Sequence, residues 1–192
     1  MNKSAFSVVI FSFLVSILFL QTGCSTEEDR EMTKEEQIER GRYIVSTSGC
    51  NDCHTPKKFT QQGMQLDSTK MLSGHPAEVE LPDYDPEMVG PGKWTLTNDH
   101  LTAWVGPWGV SFSSNITPDN ETGIGTLTED MFLKTIREGK LMGVGRPLLP
   151  PMPWQDIAKM TDEDLKAIYA YLMSLEPIKN KVPEPIPPAQ SK

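Results

Sequence analysis

The regular elements legible in this 192-residue sequence are all helices, so the fold class it predicts is all-α with a long loop-rich insertion. Three observations carry that expectation. A capped amphipathic pattern stands near each end of the chain, and a third lies between them. Residues 55–126 are dense in Gly and Pro and show no readable period.

The chain opens Met1-Asn2-Lys3 and then runs apolar from Ala5 to Leu20, broken only by Ser7, Ser12 and Ser16. A bilayer span wants about 20 apolar residues, whereas a signal-peptide core takes roughly 7–15. Gln21-Thr22-Gly23-Cys24 follows, small residues ahead of a cysteine. This resembles the lipobox of bacterial lipoproteins, with Gln21 where that pattern usually has Leu. The resemblance implies cleavage before Cys24 and lipidation of that cysteine. The alternatives are an uncleaved anchor helix, or ordinary cleavage that leaves Cys24 a free thiol. Export is expected in each case. Residues 1–23 then form a signal peptide, and residues 24–36, charged and poor in large apolar side chains, a solvated tether.

The first helix is announced by Thr33-Lys34-Glu35-Glu36, a capping box. Ile38, Gly41, Ile44 and Val45 recur behind it at helical spacing, which predicts a helix from Lys34 to about Thr47. The middle helix covers Thr128–Glu138, with Thr126 or Thr128 as its cap. Glu129 and Asp130 suit its positive end, and Gly139 stops it. The last begins at Thr161-Asp162-Glu163-Asp164 and shows Leu165, Ile168, Tyr169 and Leu172 on one face before Pro177. From Pro177 onward the tail is Pro-rich and extended. It packs near Pro177–Val182 or serves as a docking segment, with 183–192 outside the domain. Within 55–126, short helical turns around Asp99–Trp104 are the only local structure expected. Three of the four tryptophans fall there, so the stretch is packed.

One motif carries chemistry. Cys50-Asn51-Asp52-Cys53-His54 is C-x-x-C-H, the attachment signature of c-type haem. Two thiols on one helical turn each form a thioether to one haem vinyl group, and the adjacent histidine reaches the iron. Zinc would need further ligands, yet beyond this motif and the signal peptide only Cys24, His75 and His100 remain as soft donors. A thioredoxin-like site would need a βαβ setting, which is missing. A disulfide closing so small a loop would stabilise little. One motif predicts one covalent haem c. The chain carries 18 Lys and Arg against 26 Asp and Glu, a net charge of −8, which excludes nucleic acid as the natural partner. That acidic surface either steers a basic partner or serves solubility alone.

The N-terminal helix, haem motif and C-terminal helix together resemble the class I cytochrome c family. The resemblance implies an all-α fold over residues 37–182, wrapped around one haem. Gly41 stands where that family uses a small residue to let the two helices approach. Gly106-Pro107-Trp108-Gly109, Asn115-Ile116-Thr117-Pro118, Arg137-Glu138-Gly139-Lys140 and Pro150-Pro151-Met152-Pro153-Trp154 further resemble the haem modules of membrane-bound dehydrogenase cytochrome subunits. Those subunits usually carry three haem motifs, and this chain carries one.

In the cytochrome c family the second axial ligand is usually a methionine far downstream of the haem motif. Met152 is the expected one, because the flanking Pro150, Pro151 and Pro153 form a stiff loop that can hold a thioether in one place. Met142 is its rival, and His100 a remote third. Trp154 is expected at the haem edge. Asn115 either hydrogen-bonds a haem propionate or forms an Asx-type turn. His75 and His100 read as surface loop residues. With both axial positions filled, the haem transfers electrons and has no open site for catalysis. The expected function is therefore that of an electron carrier in the bacterial cell envelope, not an enzyme, anchored to the membrane through its lipid. Its partners would be a dehydrogenase donor and an oxidase or cytochrome acceptor. The alternatives are a subunit of a dehydrogenase complex and a haem-based sensor in which Met152 leaves the iron.

Overall fold

The computed structural model describes residues 30–188. The expected signal peptide over residues 1–23, Cys24 and the first part of the expected tether lie outside them. Five α-helices and five strands follow in chain order among these residues, besides two short 3-10 turns: α1 (Lys34–Thr47), α2 (Cys50–His54), β1 (Lys57–Thr60), β2 (Gly63–Leu66), β3 (Leu96–Thr97), β4 (Ala103–Gly106), β5 (Gly109–Phe112), α3 (Glu129–Glu138), α4 (Trp154–Ile157) and α5 (Asp162–Met173).

The all-α expectation is corrected by this architecture. The described residues are 32% helix and 14% strand, with two small antiparallel sheets among them. One is the hairpin β1–β2; the other has the order β3-β4-β5. The strands escaped notice because none exceeds four residues, too few for a period-2 pattern to register. Nor do the turns advertise themselves. Gln61-Gln62 joins β1 to β2, and Pro107-Trp108 joins β4 to β5, neither of them an Asn-Gly type. The expected helical turns at Asp99–Trp104 are instead the β3–β4 connection and the start of β4. Asn98 builds that connection. Its buried carboxamide oxygen accepts from the backbone N–H of Thr102 and Ala103 at 2.9 and 3.0 Å.

The helices follow their sequence signals. In α1 the Thr33 hydroxyl accepts from Glu36 N–H at 3.3 Å, while Glu36 Oε2 accepts from Thr33 N–H at 2.8 Å. Thr128 caps α3, and Gly139 ends it at φ 62°, a conformation that favours glycine. Thr161 caps α5.

Helices α1 and α5 cross at Gly41. A Cβ there would lie 1.9 Å from the Ala167 carbonyl oxygen and 2.8 Å from Tyr171 Cβ, so no side chain fits. Around the crossing Ile44, Val45, Leu165, Ile168 and Leu172 join Phe132 and Ile136 of α3 in one buried cluster. An ion pair, Arg40 to Asp164 at 2.9 Å, spans the same two helices at the surface.

The Pro-rich segment after α5 is a strap on the domain. Its packing extends past Val182. Ile186 and Val110 exchange both backbone hydrogen bonds, at 2.7 and 3.0 Å, so residue 186 continues the sheet beside β5. Gly109 permits this approach, since a Cβ there would lie 2.0 Å from the Ile186 carbonyl oxygen. Among the described residues, no helix is long and apolar enough to cross a membrane.

Candidate functional site

The short helix α2 is the centre of the site. Its carbonyls are satisfied from outside the helix. Gly74 N–H donates to His54 O at 2.8 Å, and the Lys57 ammonium donates to Asp52 O at 2.8 Å and Asn51 O at 3.3 Å. Thr55, fully buried, donates its hydroxyl to the Asn51 carboxamide at 2.9 Å and accepts Leu72 N–H at 2.9 Å. Gly74 must be glycine here: its φ is 80°, and a Cβ would lie 2.4 Å from the Ser113 carbonyl oxygen. Thus α2 is locked against residues 72–75, which in turn lie against the segment after β5.

The imidazole of His54 is held by the same segment. His54 Nδ1 lies 2.7 Å from the Ser114 carbonyl oxygen. A carbonyl only accepts, so the ring proton sits on Nδ1 and the Nε2 lone pair is left for a metal. Burial pushes the His54 pKa below its ordinary value, more than the Ser114 bond raises it, which keeps the ring neutral as a ligand must be. Burial pushes the thiols of Cys50 and Cys53 up from their ordinary value. A thiolate redox pair needs a shift in the opposite direction.

Cys50, Cys53 and His54 line an apolar cavity of about 380 Å³. That volume is in the range of sites for small ligands and cofactors. Ile44, Val45, Phe132, Ile136, Ile168 and Leu172 form much of its wall, so the hydrophobic cluster of the fold is also the lining of the site. Met152 lines the same cavity, as does Met160. Met142 does not. It lies on an exposed turn, at φ 54°.

The loop bearing Met152 is tied to the sheet. Ser111 donates its hydroxyl to Pro150 O at 2.6 Å and accepts Trp108 Nε1–H at 3.1 Å. Met152 N–H closes a turn onto Leu149 O at 3.2 Å.

Not every expected residue is at the cavity. Trp154 opens α4 and packs on the end of α3, where a Cβ on Gly139 would meet its ring at 2.4 Å. Asn115 is buried and its carboxamide is fully engaged. Its oxygen accepts from Thr117 N–H at 3.0 Å and Thr117 Oγ1 at 2.7 Å, an Asx turn, while its nitrogen donates to Ile178 O at 2.8 Å. His75, expected at the surface, is fully buried between Thr102 and Val79. His100 is partly buried and accepts Lys57 N–H at 3.2 Å.

Four groups at or near the site were not singled out by sequence. The Ser114 carbonyl is a backbone atom and leaves no residue signal. Lys57 reads as a surface lysine, yet its side chain is tucked beneath α2, and burial pushes its ammonium below the ordinary range. Trp104 lines the cavity, and its Nε1–H is the one buried side-chain donor left without a partner among the described residues. Arg146 lines the cavity as well.

The donor set fits a haem c on three counts. Two thiols lie within a turn of a neutral imidazole, the cavity is apolar enough for a flat macrocycle, and an unpartnered indole N–H stands in its wall for an acidic substituent. Among the described residues, no group of three or more His, Cys, Asp or Glu is placed to hold a metal ion by itself. Iron bound here would depend on the macrocycle for most of its ligands.

No family model matches the chain. Over 88% of its length it is 28% identical to the cytochrome c subunit of alcohol dehydrogenase (quinone) of Gluconobacter oxydans, covering 28% of that protein. Over 74% it is 30% identical to the gluconate 2-dehydrogenase cytochrome c subunit of Pantoea cypripedii, covering 24% of it. Over 78% it is 28% identical to the fructose dehydrogenase cytochrome subunit of Gluconobacter japonicus, covering 23%. The chain thus spans less than a third of the length of these curated relatives.

Proposed function

From its homology to cytochrome c subunits of alcohol, gluconate and fructose dehydrogenases, we propose that this chain is an electron-transfer cytochrome with one covalently held haem c. Cys50 and Cys53 hold the group through thioethers. His54 Nε2 and the Met152 sulfur would be the protein ligands to its iron. The bound group supplies reversible one-electron chemistry, and a His/Met pair favours a high potential.

The chain's own residues do the rest. The Ser114 carbonyl orients the imidazole and keeps its proton on Nδ1. The apolar walls exclude water. Pro150, Pro151 and Pro153 stiffen the loop of Met152, so little order has to be gained on ligation. Trp104 Nε1–H and the Arg146 guanidinium are the donors available to the acidic side groups of the haem. With His54 and Met152 both holding the iron, no site would be left open to a substrate, which suits a carrier and not a catalyst.

The observation that carries this reading is the 2.7 Å bond from His54 to Ser114, made beside both thiols in a cavity that Met152 also lines. Optical spectra of the purified protein in both redox states test it. Cys50→Ala and Cys53→Ala are expected to lose covalent haem. Met152→Ala is expected to lose the methionine–iron charge-transfer band, and Met142→Ala to keep it. Loss of that band in Met142→Ala alone would overturn the ligand assignment. A wild-type chain without covalent haem would overturn the reading as a whole.

The likeness to dehydrogenase subunits also supports a place in the cell envelope, with a dehydrogenase as donor and an oxidase, quinone enzyme or cytochrome as acceptor. Lipidation of Cys24 would hold the chain at the membrane. Cys24→Ser is then expected to release the protein into the soluble fraction, with loss of a lipid-sized mass from its N-terminal peptide.

A further inference from the structure

The side chain of Lys57 has no role in the proposed ligation, yet it is among the most constrained in the molecule. It is 6% exposed. Its ammonium donates to three carbonyl oxygens, those of Asn51, Asp52 and Thr55, at 3.3, 2.8 and 2.5 Å. Asn51 and Asp52 lie within the turn that carries Cys50, Cys53 and His54, and Thr55 directly follows it. Among the described residues no carboxylate forms an ion pair with Lys57; its anionic neighbour, Asp52, is exposed and bonds it only through the backbone.

The geometry matches an ammonium and no other state. Three N–H donors meet three acceptors, whereas a neutral amine would turn its lone pair on one of the carbonyls. Positive charge at a helix C-terminus is favourable, and here it adds to the backbone bonds that Thr55 N–H and Gly74 N–H make to the last turn. The placement also has an electrostatic consequence. A buried cation without a counter-ion acts through a low dielectric on any charge change nearby. Reduction of the iron adds one negative charge, which such a cation favours.

Resting on the haem reading above, we propose that Lys57 is a positioning residue that caps the attachment turn and whose fixed charge raises the reduction potential of the haem. The test compares midpoint potentials of Lys57→Gln and Lys57→Arg with wild type, alongside haem content. Glutamine keeps donors for the carbonyls without the charge. It is expected to lower the ratio of reduced to oxidised haem at a fixed ambient potential about tenfold, which for one electron is about 59 mV. Arginine is expected to stay near the wild-type potential. A haem-loaded glutamine variant at the wild-type potential would overturn the proposal. If glutamine fails to load haem, arginine decides: near wild type it supports the charge, and lowered it overturns it.

Acylation of the wild-type protein supplies a readout free of variants. Lys57 is expected to stay unmodified while exposed lysines react, and modification at their rate would overturn its buried placement. Absence of covalent haem in the wild type would refute the haem reading itself, before any result on Lys57.

Discussion

The Ser111 hydroxyl donates to the Pro150 carbonyl at 2.6 Å, and through it the sheet holds the loop that bears Met152. Trp108 Nε1–H, donating to the same hydroxyl at 3.1 Å, completes a chain of two bonds. Ser111→Ala leaves the Pro150 carbonyl and the Trp108 N–H without their partner. Orphaned polar groups of this kind cost about 1–3 kcal/mol. We expect thermal unfolding to move down accordingly. The methionine–iron band should fade at a lower temperature than in wild type, because the loop loosens before the domain unfolds. A band as heat-stable as that of wild type would show that the prolines alone hold the loop.

Gly41 permits a contact that no other residue can replace. A Cβ placed 1.9 Å from the Ala167 carbonyl oxygen meets backbone, which cannot swing aside. Gly41→Ala therefore forces α1 and α5 apart. Overpacking of this kind typically costs about 1–3 kcal/mol, and here at least about 3 kcal/mol is expected because the whole crossing must move. Elsewhere in a helix the same change is mildly stabilising, since alanine is the better helix former. Chemical denaturation distinguishes the two signs. A stability equal to or above wild type would contradict the close crossing.

The two outer helices and the haem motif were legible in sequence because each is a local signal. Thr33 with Glu36, Thr161 before Leu165, and Cys50-Asn51-Asp52-Cys53-His54 are each contained within a few residues. Groups that act at long range left no such signal. The Ser114 carbonyl meets His54 across sixty positions of chain, and the Asn180 carboxamide bonds Ser73 and His75 across more than a hundred. Asn115 shows the limit in one residue. Its sequence setting allowed both a turn and a ligand contact, and only the fold shows its carboxamide spent on Thr117 and Ile178. The strands were hidden for a different reason: four-residue strands offer two inward positions at most, which chance supplies as easily as design.

Asp67 gives the fold a defined acid limit. Burial works to raise its pKa, but the Lys58 ammonium at 2.7 Å and two donors from Thr69 outweigh it, and the pKa falls from 3.8 to about 2. A folded-state pKa below the unfolded one means that the ionised carboxylate stabilises the fold. That contribution, up to about 2 kcal/mol, is complete above pH ~4 and is lost as pH falls toward ~2. Urea unfolding at a series of pH values should show the decline, and in Asp67→Asn the part of it due to this group should vanish. An Asn variant with the same stability loss between about pH 4 and 2 would assign the acid limit to other groups.

Asn115 anchors the strap that follows α5, and its loss should release that strap ahead of global unfolding. Its carboxamide nitrogen donates to Ile178 O at 2.8 Å, and Thr117 Oγ1, positioned by the same side chain, accepts Ile178 N–H at 3.1 Å. Asn115→Ala removes the first bond directly and the turn that presents the second. Buried groups left unpaired cost about 1–3 kcal/mol, enough to loosen a segment whose other ties include the Asn180 bonds, the exposed Lys179–Glu121 ion pair and the Ile186 pairing. Lys179 and Lys181 lie within the strap and become trypsin sites once it opens. Brief digestion under native conditions is expected to clip the variant at these lysines while the wild type stays intact. Asn180→Ala, which frees the strap from Ser73 and His75, should be clipped at the same places. Equal resistance of both variants would mean that neither carboxamide is needed to hold the strap.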